Sequence, residues 1–252
     1  MKILASDFDG TLYFEHQLEN YRQDDLEAIK KFQSYGHKFG VCTGRPLIGV
    51  TDFASSEFTF DFYIVNSGAI VLDQDFKVIS KKDIALATIK DVYEHYQGIE
   101  MLIATVDKLF MANIEADFDN PIITRLTSLK QLHGETILSF SLLLKNEADA
   151  RKVKKTLEKY EDLEVFQNIN AIDCAPKDCS KKSGIQIIQK YYQVDKNDLA
   201  CIGDSYNDIC MLEYLDNSFT FDYSPKEVQE AAKNVVRHLD ECVEKLLGET
   251  EK

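Results

Sequence analysis

The sequence predicts an α/β protein: a doubly wound, Rossmann-like core of parallel strands interrupted by an inserted α+β unit. Three observations carry this reading. Strand, helix and strand alternate over the first 80 residues, the pattern of a parallel sheet with helical crossovers. From about Lys81 extended segments come in runs, as in an antiparallel sheet with helices on one face. From Ser180 the first alternation returns. The predicted core is therefore 1–80 with 177–252, and the insert is an α+β cap of residues 81–176.

Taken in order, Lys2–Ser6 reads as a strand running into Asp7-Phe8-Asp9-Gly10-Thr11, where Gly10 suits a sharp bend. Residues 22–35 form a helix that places Leu26, Ile29, Phe32 and Phe39 near helical spacing, with Gly36 as its C-terminal cap. Lys38–Cys42 is a short apolar strand ending in Thr43-Gly44-Arg45-Pro46, and Phe62–Val65 is a third, ending in Asn66-Ser67-Gly68-Ala69. The insert opens with a helix over 84–96 and two extended segments, Met101–Val106 and Leu109–Ala112. Extended Ile137–Leu144, a helix Glu147–Tyr160 and extended Glu164–Ala175 complete it. The core resumes with a helix through Gly184–Tyr192 and a strand Leu199–Ile202 that ends in Gly203-Asp204.

Composition limits the function classes. The 252 residues carry 43 acidic and 29 basic side chains, a formal net charge of −14. A field of that sign repels nucleic acid and anionic membranes, so neither is an expected partner. It still permits a phosphate ligand where a metal ion and one or two lysines reverse the field locally. The N-terminus lacks the apolar run of a signal peptide, and no stretch approaches the roughly 18 apolar residues of a membrane helix. Cys42, Cys174, Cys179, Cys201, Cys210 and Cys242 form no CxxC pair and read as small buried side chains in a reducing compartment, so the expected location is cytoplasmic. A zinc site from Cys174 and Cys179 would lack a second ligand pair.

Each of three polar clusters follows a predicted strand, and open α/β sheets bind ligands at the carboxyl ends of their strands. In the first, Asp7 and Asp9 lie two residues apart and can face one pocket. One carboxylate can attack phosphorus while the other handles the leaving group's proton. A charged turn is the plainer alternative. A calcium loop fails on spacing, with Leu12 at its sixth position and Leu18 at its twelfth. The triplet recurs in Asp117-Phe118-Asp119 without the apolar lead-in or the Gly-Thr exit, and there reads as an ordinary loop. In the second cluster, the Thr43 hydroxyl and the backbone around Gly44 can hydrogen-bond a phosphoryl oxygen, or form a structural turn. Arg45 reads as salt-bridged or solvated rather than as a phosphate ligand. In the third, Gly203-Asp204-Ser205-Tyr206-Asn207-Asp208, two acids make an oxygen-rich site suited to magnesium, and Asp204 also fits a helix N-cap. Lys181-Lys182 opens a predicted helix, where a cation calls for a compensating anion; a solvated charge pair is the alternative.

In order, these four elements resemble the haloacid dehalogenase superfamily, in its Cof-type (subfamily IIB) branch of phosphatases. That branch has Asp-x-Asp-Gly-Thr, Thr-Gly-Arg, a helix-opening lysine and Gly-Asp-x-x-x-Asp, with its cap between the second and third motifs. Here these are Asp7–Thr11, Thr43–Arg45, Lys181 and Gly203–Asp208. The resemblance implies that Asp7 is a nucleophile forming an aspartyl-phosphate and Asp9 the acid–base residue. Thr43, Gly44, Lys181 and Asn207 are then phosphate-binding, and magnesium sits among Asp7, Asp9 through its backbone carbonyl, Asp204 and Asp208, the last directly or as support. The chain departs from the branch at Lys182, where many relatives have Gly, and at Phe219–Pro225, which replaces a stretch of small residues. The expected activity is removal of phosphate from small phosphorylated metabolites, sugar phosphates first. A phosphomutase and a non-catalytic phosphometabolite binder are the alternatives, and retention of both Asp7 and Asp9 disfavours the binder. The sequence specifies no oligomeric state.

Overall fold

The computed structural model describes residues 1–248 except 16, 115–119 and 121. The second Asp-Phe-Asp triplet, including Phe118, therefore lies outside the described residues. The chain runs β1 (Ile3–Ser6), α1 (Gln23–Ser34), β2 (Lys38–Cys42), α2 (Leu47–Thr51), β3 (Phe62–Val65), β4 (Ile70–Asp73) and β5 (Val78–Lys81). It continues through α3 (Leu86–His95), β6 (Glu100–Thr105), β7 (Leu109–Ala112), β8 (Ile123–Arg125), β9 (Ile137–Leu143), α4 (Glu147–Leu157), β10 (Leu163–Asn168) and β11 (Ala171–Pro176). The last elements are α5 (Lys181–Tyr192), β12 (Leu199–Ile202), α6 (Ile209–Leu212), β13 (Asn217–Phe221), α7 (Lys226–Ala231), β14 (Asn234–Val236) and α8 (Leu239–Gly248).

The larger sheet has the order β14-β13-β12-β1-β2-β3-β4-β5. Its first six strands are parallel, and alternate side chains feed opposite layers. Leu4, Phe39, Val41 and Ile202 pack with Leu26, Ile29 and Phe32 of α1 and Val243 and Leu246 of α8. Ile3, Ala5, Ile64 and Cys201 pack on the other face with Ile185 and Ile188 of α5, Met211 of α6 and Val228 of α7. Helices on both faces of a parallel sheet make the doubly wound architecture.

The smaller sheet, β10-β11-β9-β6-β7-β8, is antiparallel except for the β7–β8 pair. One face is covered by α3 and α4. Ile103, Phe110, Phe140, Leu142, Ile172 and Cys174 point into that core, which Ile89, Val92, Ala150 and Leu157 complete.

Several elements differ from the sequence reading. The β4–β5 hairpin was not anticipated; it pairs antiparallel to β3 and extends the large sheet to Lys81. Phe39 belongs to β2, not to the preceding helical stripe. Residues 164–175 are not one extended run: Ile169, with φ +52°, turns the chain between β10 and β11. All six cysteines are free. Cys174 lies in the core of the small sheet and Cys179 against that of the large one, so the two serve packing. Among the described residues no helix is long and apolar enough to cross a membrane.

Candidate active site

β12, β1 and β2 are neighbours in the large sheet and run in one direction, so their carboxyl ends deliver three polar clusters to one edge. The Asp7 N–H still bonds Ile202 O at 2.9 Å, and the Thr43 N–H bonds Ile64 O at 2.8 Å. Both side chains thus leave from the last ladder rungs, fixed by the sheet.

Two glycines make room for carboxylates. Gly10 has φ +72°, and a Cβ there would lie 2.8 Å from Asp204 Oδ2. Its neighbour Thr11 donates its hydroxyl to Asp204 Oδ1 at 2.8 Å, joining the first motif to the last. At Gly203 a Cβ would fall 2.4 Å from the Asp208 carboxyl carbon. That close approach lets Asp208 Oδ2 accept the Asp204 and Ser205 N–H groups at 3.1 and 3.0 Å. The N-cap of this turn is Ser205, not Asp204 as the sequence suggested.

Lys181 opens α5 behind the capping residue Ser180. Its ammonium is 2.7 Å from Asp7 Oδ1 and 2.6 Å from Asp208 Oδ1. Lys181 is 2%, Asp7 4% and Asp208 0% exposed. The anion that a helix-opening lysine calls for is thus supplied twice over. Lys182 turns away, with Nζ 5.3 Å from the centre of the Tyr214 ring.

Charge accounting in this buried cluster points one way. Asp7, Asp204 and Asp208 offer oxygens that all lie within 4.8 Å of one another. Three carboxylates around one ammonium leave two negative charges uncompensated. Burial, then Asp208, push the Asp7 carboxyl up to about 7 against the pull of Lys181. Burial, then Asp7, push Asp204 up to about 6, and burial raises Asp208 too. Burial alone would lower the Lys181 ammonium, but Asp208 and Asp7 outweigh it and the net direction is up. An all-oxygen donor set short of two positive charges fits a hard divalent cation.

Asp9 is placed differently. Its carboxylate, 48% exposed, turns to Arg45, whose Nε and Nη2 donate to it at 2.7 and 2.5 Å. Arg45 is therefore salt-bridged, and it is caged by Phe8, Tyr13 and Phe53, with ring centres 5.2, 5.4 and 5.2 Å from its guanidinium carbon. Thr43 is buried, and its hydroxyl accepts the Arg45 N–H at 3.1 Å. Gly44 faces the Ser67 hydroxyl, which a Cβ would meet at 3.5 Å. Asn207 adjoins Asp208 in the chain but lines a cavity of about 830 Å³ with Arg151, Lys154, Phe166 and Tyr206. Neither the three clustered carboxylates nor Thr43 nor Lys181 lines that cavity.

Residues 4–244 match the haloacid dehalogenase-like hydrolase family. The chain belongs to that family. Among curated proteins it is 24% identical over 255 residues to a phosphatase-designated protein of Haemophilus influenzae, covering 93% of this chain and 92% of the relative. It is 24% identical over 275 residues to the 5-amino-6-(5-phospho-D-ribitylamino)uracil phosphatase YwtE of Bacillus subtilis, covering 96% and 94%. Among solved structures, a haloacid dehalogenase-like hydrolase from B. subtilis superposes with a TM-score of 0.86 at 18% identity, covering 98% of this chain and 99% of that one. The subclass IIB sugar phosphatase BT4131 superposes with a TM-score of 0.79 at 22% identity, covering 100% and 99%. The fold is that of the Cof-like, subclass IIB hydrolases.

Sequence reasoning missed several groups in this haloacid dehalogenase-like hydrolase. Thr11 sits inside the first motif yet was assigned no contact. Tyr223, in the atypical Phe219–Pro225 stretch, donates its hydroxyl to Gly10 O at 2.6 Å. Asn66 Nδ2 donates to the Ser139 hydroxyl of the small sheet at 2.8 Å. Asp173 bonds Ser141 at 2.5 Å on that same sheet. A signal for the last two was present in Ile137–Leu143, where serines alternate with buried Phe140 and Leu142 and so share the face away from the helices.

Proposed function

We propose that this hydrolase is a magnesium-dependent phosphomonoesterase of small phosphorylated metabolites, working through an aspartyl-phosphate on Asp7. The observation that carries the reading is the buried Lys181 ammonium held between Asp7 and Asp208, with Asp204 beside them and two negative charges uncompensated. Magnesium would be held by Asp7, Asp204 and the Asp9 backbone carbonyl, where it would offset the repulsion between carboxylate and phosphate. Both Asp208 oxygens are already engaged, by Lys181 and by two N–H groups, which supports Asp208 as the group that fixes the lysine.

The protein's own groups divide the reaction. Lys181 and the Thr43 hydroxyl would hold phosphoryl oxygens while Asp7 attacks phosphorus and the bond to the leaving oxygen breaks. Asp9, turned in from Arg45, would give that oxygen its proton. It would then take one from the water that opens the aspartyl-phosphate, releasing phosphate and restoring Asp7. The substrate class follows the relatives: one is named a sugar phosphatase and others phosphatases of a ribitylamino-uracil phosphate.

The test is a panel of phosphorylated metabolites assayed for phosphate release with and without magnesium, alongside Asp7→Asn. Release should require magnesium, and the variant should keep the fold and lose at least about a thousandfold in turnover. Parental turnover by Asp7→Asn, or no release from any ester, would overturn the reading.

A further inference from the structure

Tyr223 belongs to the Phe219–Pro225 stretch, where the chain departs from the Cof-type branch, and the proposed chemistry leaves it unused. Its hydroxyl nevertheless reaches the first motif, donating to Gly10 O at 2.6 Å. The turn that carries it is tied down from several sides. The Asp222 N–H bonds Val236 O at 3.0 Å, and the Ser224 N–H bonds Phe221 O at 3.2 Å. Gln229 Nε2 donates to Asp222 O and Ser224 O at 3.0 and 2.8 Å. The buried Thr220 and Ser224 hydroxyls meet at 3.0 Å. The Tyr223 ring stacks on buried Phe221, with centres 4.8 Å apart and planes 10° from parallel. One side of that ring faces solvent, but its backing is fixed.

The acceptor lies where the first motif meets the last. β13 and β1 flank β12 in the large sheet, so the bond bridges the strand end that carries Asp204. The Gly10 N–H bonds Tyr13 O at 2.9 Å, which fixes the peptide plane before Gly10. Tyr223 fixes the plane after it, because Gly10 O and the Thr11 N–H belong to one rigid peptide. Thr11 then donates its hydroxyl to Asp204 Oδ1 at 2.8 Å. Gly10, lacking a Cβ, lets Asp204 Oδ2 close in beside it.

We infer that Tyr223 is a positioning residue that aims the Asp204 carboxylate at the divalent cation through Gly10 and Thr11. A chain that turns on a glycine at φ +72° has a wide choice of conformations when released. Holding it in one of them beforehand spares cation binding the cost of ordering the loop. The inference rests on the metal-dependent reading above and adds what preorganises its donor set.

The test measures magnesium binding to the chelator-stripped protein by calorimetry, beside melts in chelator and magnesium titrations of turnover. It compares the parent with Tyr223→Phe, Thr11→Val, Thr11→Ser and the double variant Tyr223→Phe/Thr11→Val. Tyr223→Phe keeps the stacked ring and loses only the donor. It should weaken magnesium binding at least about threefold, the scale of one hydrogen bond, and raise the magnesium needed for half-maximal turnover alike. KM for the ester at saturating magnesium should stay at the parent value. Thr11→Val should weaken binding further, and Thr11→Ser should restore most of it. In the double variant Tyr223→Phe should add nothing to Thr11→Val, because its effect passes through that hydroxyl. Parental magnesium affinity in Tyr223→Phe, whether or not its melting temperature falls, makes the bond a structural tie and overturns the inference. Additive losses in the double variant overturn it too. No magnesium binding by the parent would instead remove the metal reading itself, and the inference with it.

Discussion

Lys181 Nζ lies 2.7 Å from Asp7 Oδ1 with both groups almost fully out of solvent. Taking a charge pair out of water is costly, and removing one partner of such a pair destabilises by about 3–5 kcal/mol. Lys181→Met should therefore lower the chelated protein's melting temperature, because Asp7 and Asp208 lose their shared cation. Added magnesium should return more of that loss than it adds to the parent, since the variant's acids have no other counterion. Turnover should not return with it. A Lys181→Met protein as stable as the parent in chelator would show that the pair adds nothing to the fold.

The raised carboxyls set a pH dependence. Asp7 sits at about 7 and Asp204 at about 6, against about 3.9 in an unfolded chain. The folded protein then binds protons more tightly than the unfolded one. Stability from these groups is full below about pH 4 and is lost as pH rises through 6 to 7. Asp25, also pushed up to about 6 by burial, acts in the same direction. Melting in chelator should fall between about pH 4 and pH 7, the window the shifts span. Asp204→Asn should flatten the slope, and the stabilisation from added magnesium should grow across the same window as the ligands lose their protons. A melting temperature that rises through this range without metal contradicts the assigned shifts.

The meeting of Asp7, Lys181 and Asp204 was legible in the sequence because each follows a strand or opens a helix within a short contiguous motif. Such placement needs no knowledge of distant pairing. Asp9 shared that context, but its direction was not legible: it depends on Arg45, 36 residues away. Asp173 was hidden for a related reason. Its bond to Ser141 exists only once β11 pairs with β9. The β4–β5 hairpin escaped because Val78–Lys81 is short and half-exposed, so it shows little of the apolar run that announced the inner strands.

Gly203 offers a test of packing without touching a charged group. An Ala Cβ would sit 2.4 Å from the Asp208 carboxyl carbon and 2.7 Å from each of its oxygens. The carboxylate would have to retreat, breaking its bonds to Lys181 and to the Asp204 and Ser205 N–H groups. Overpacking of this kind costs about 1–3 kcal/mol, and the displaced lysine should remove most of the turnover. Urea denaturation and initial rates on Gly203→Ala check both. Parental values in both would mean that Asp208 has room the structure does not show.

The final prediction separates the two partners of the Arg45–Asp9 pair. Asp9 is nearly half exposed, so solvent screens the pair and its contribution to stability is at most about 1 kcal/mol. Arg45 has more to lose, because its guanidinium stands among Phe8, Tyr13 and Phe53 and also donates to Gly49 O at 2.8 Å. Arg45→Ala should cost about 2 kcal/mol through lost cation–π contact and packing. Asp9→Asn should cost far less in stability, yet lower kcat by about 10²–10⁴-fold if it supplies and recovers the proton. Urea midpoints and kcat for the two variants measure the division. Equal destabilisation by both would make the ion pair a structural clasp, and an unchanged kcat in Asp9→Asn would leave the leaving oxygen's proton to another group.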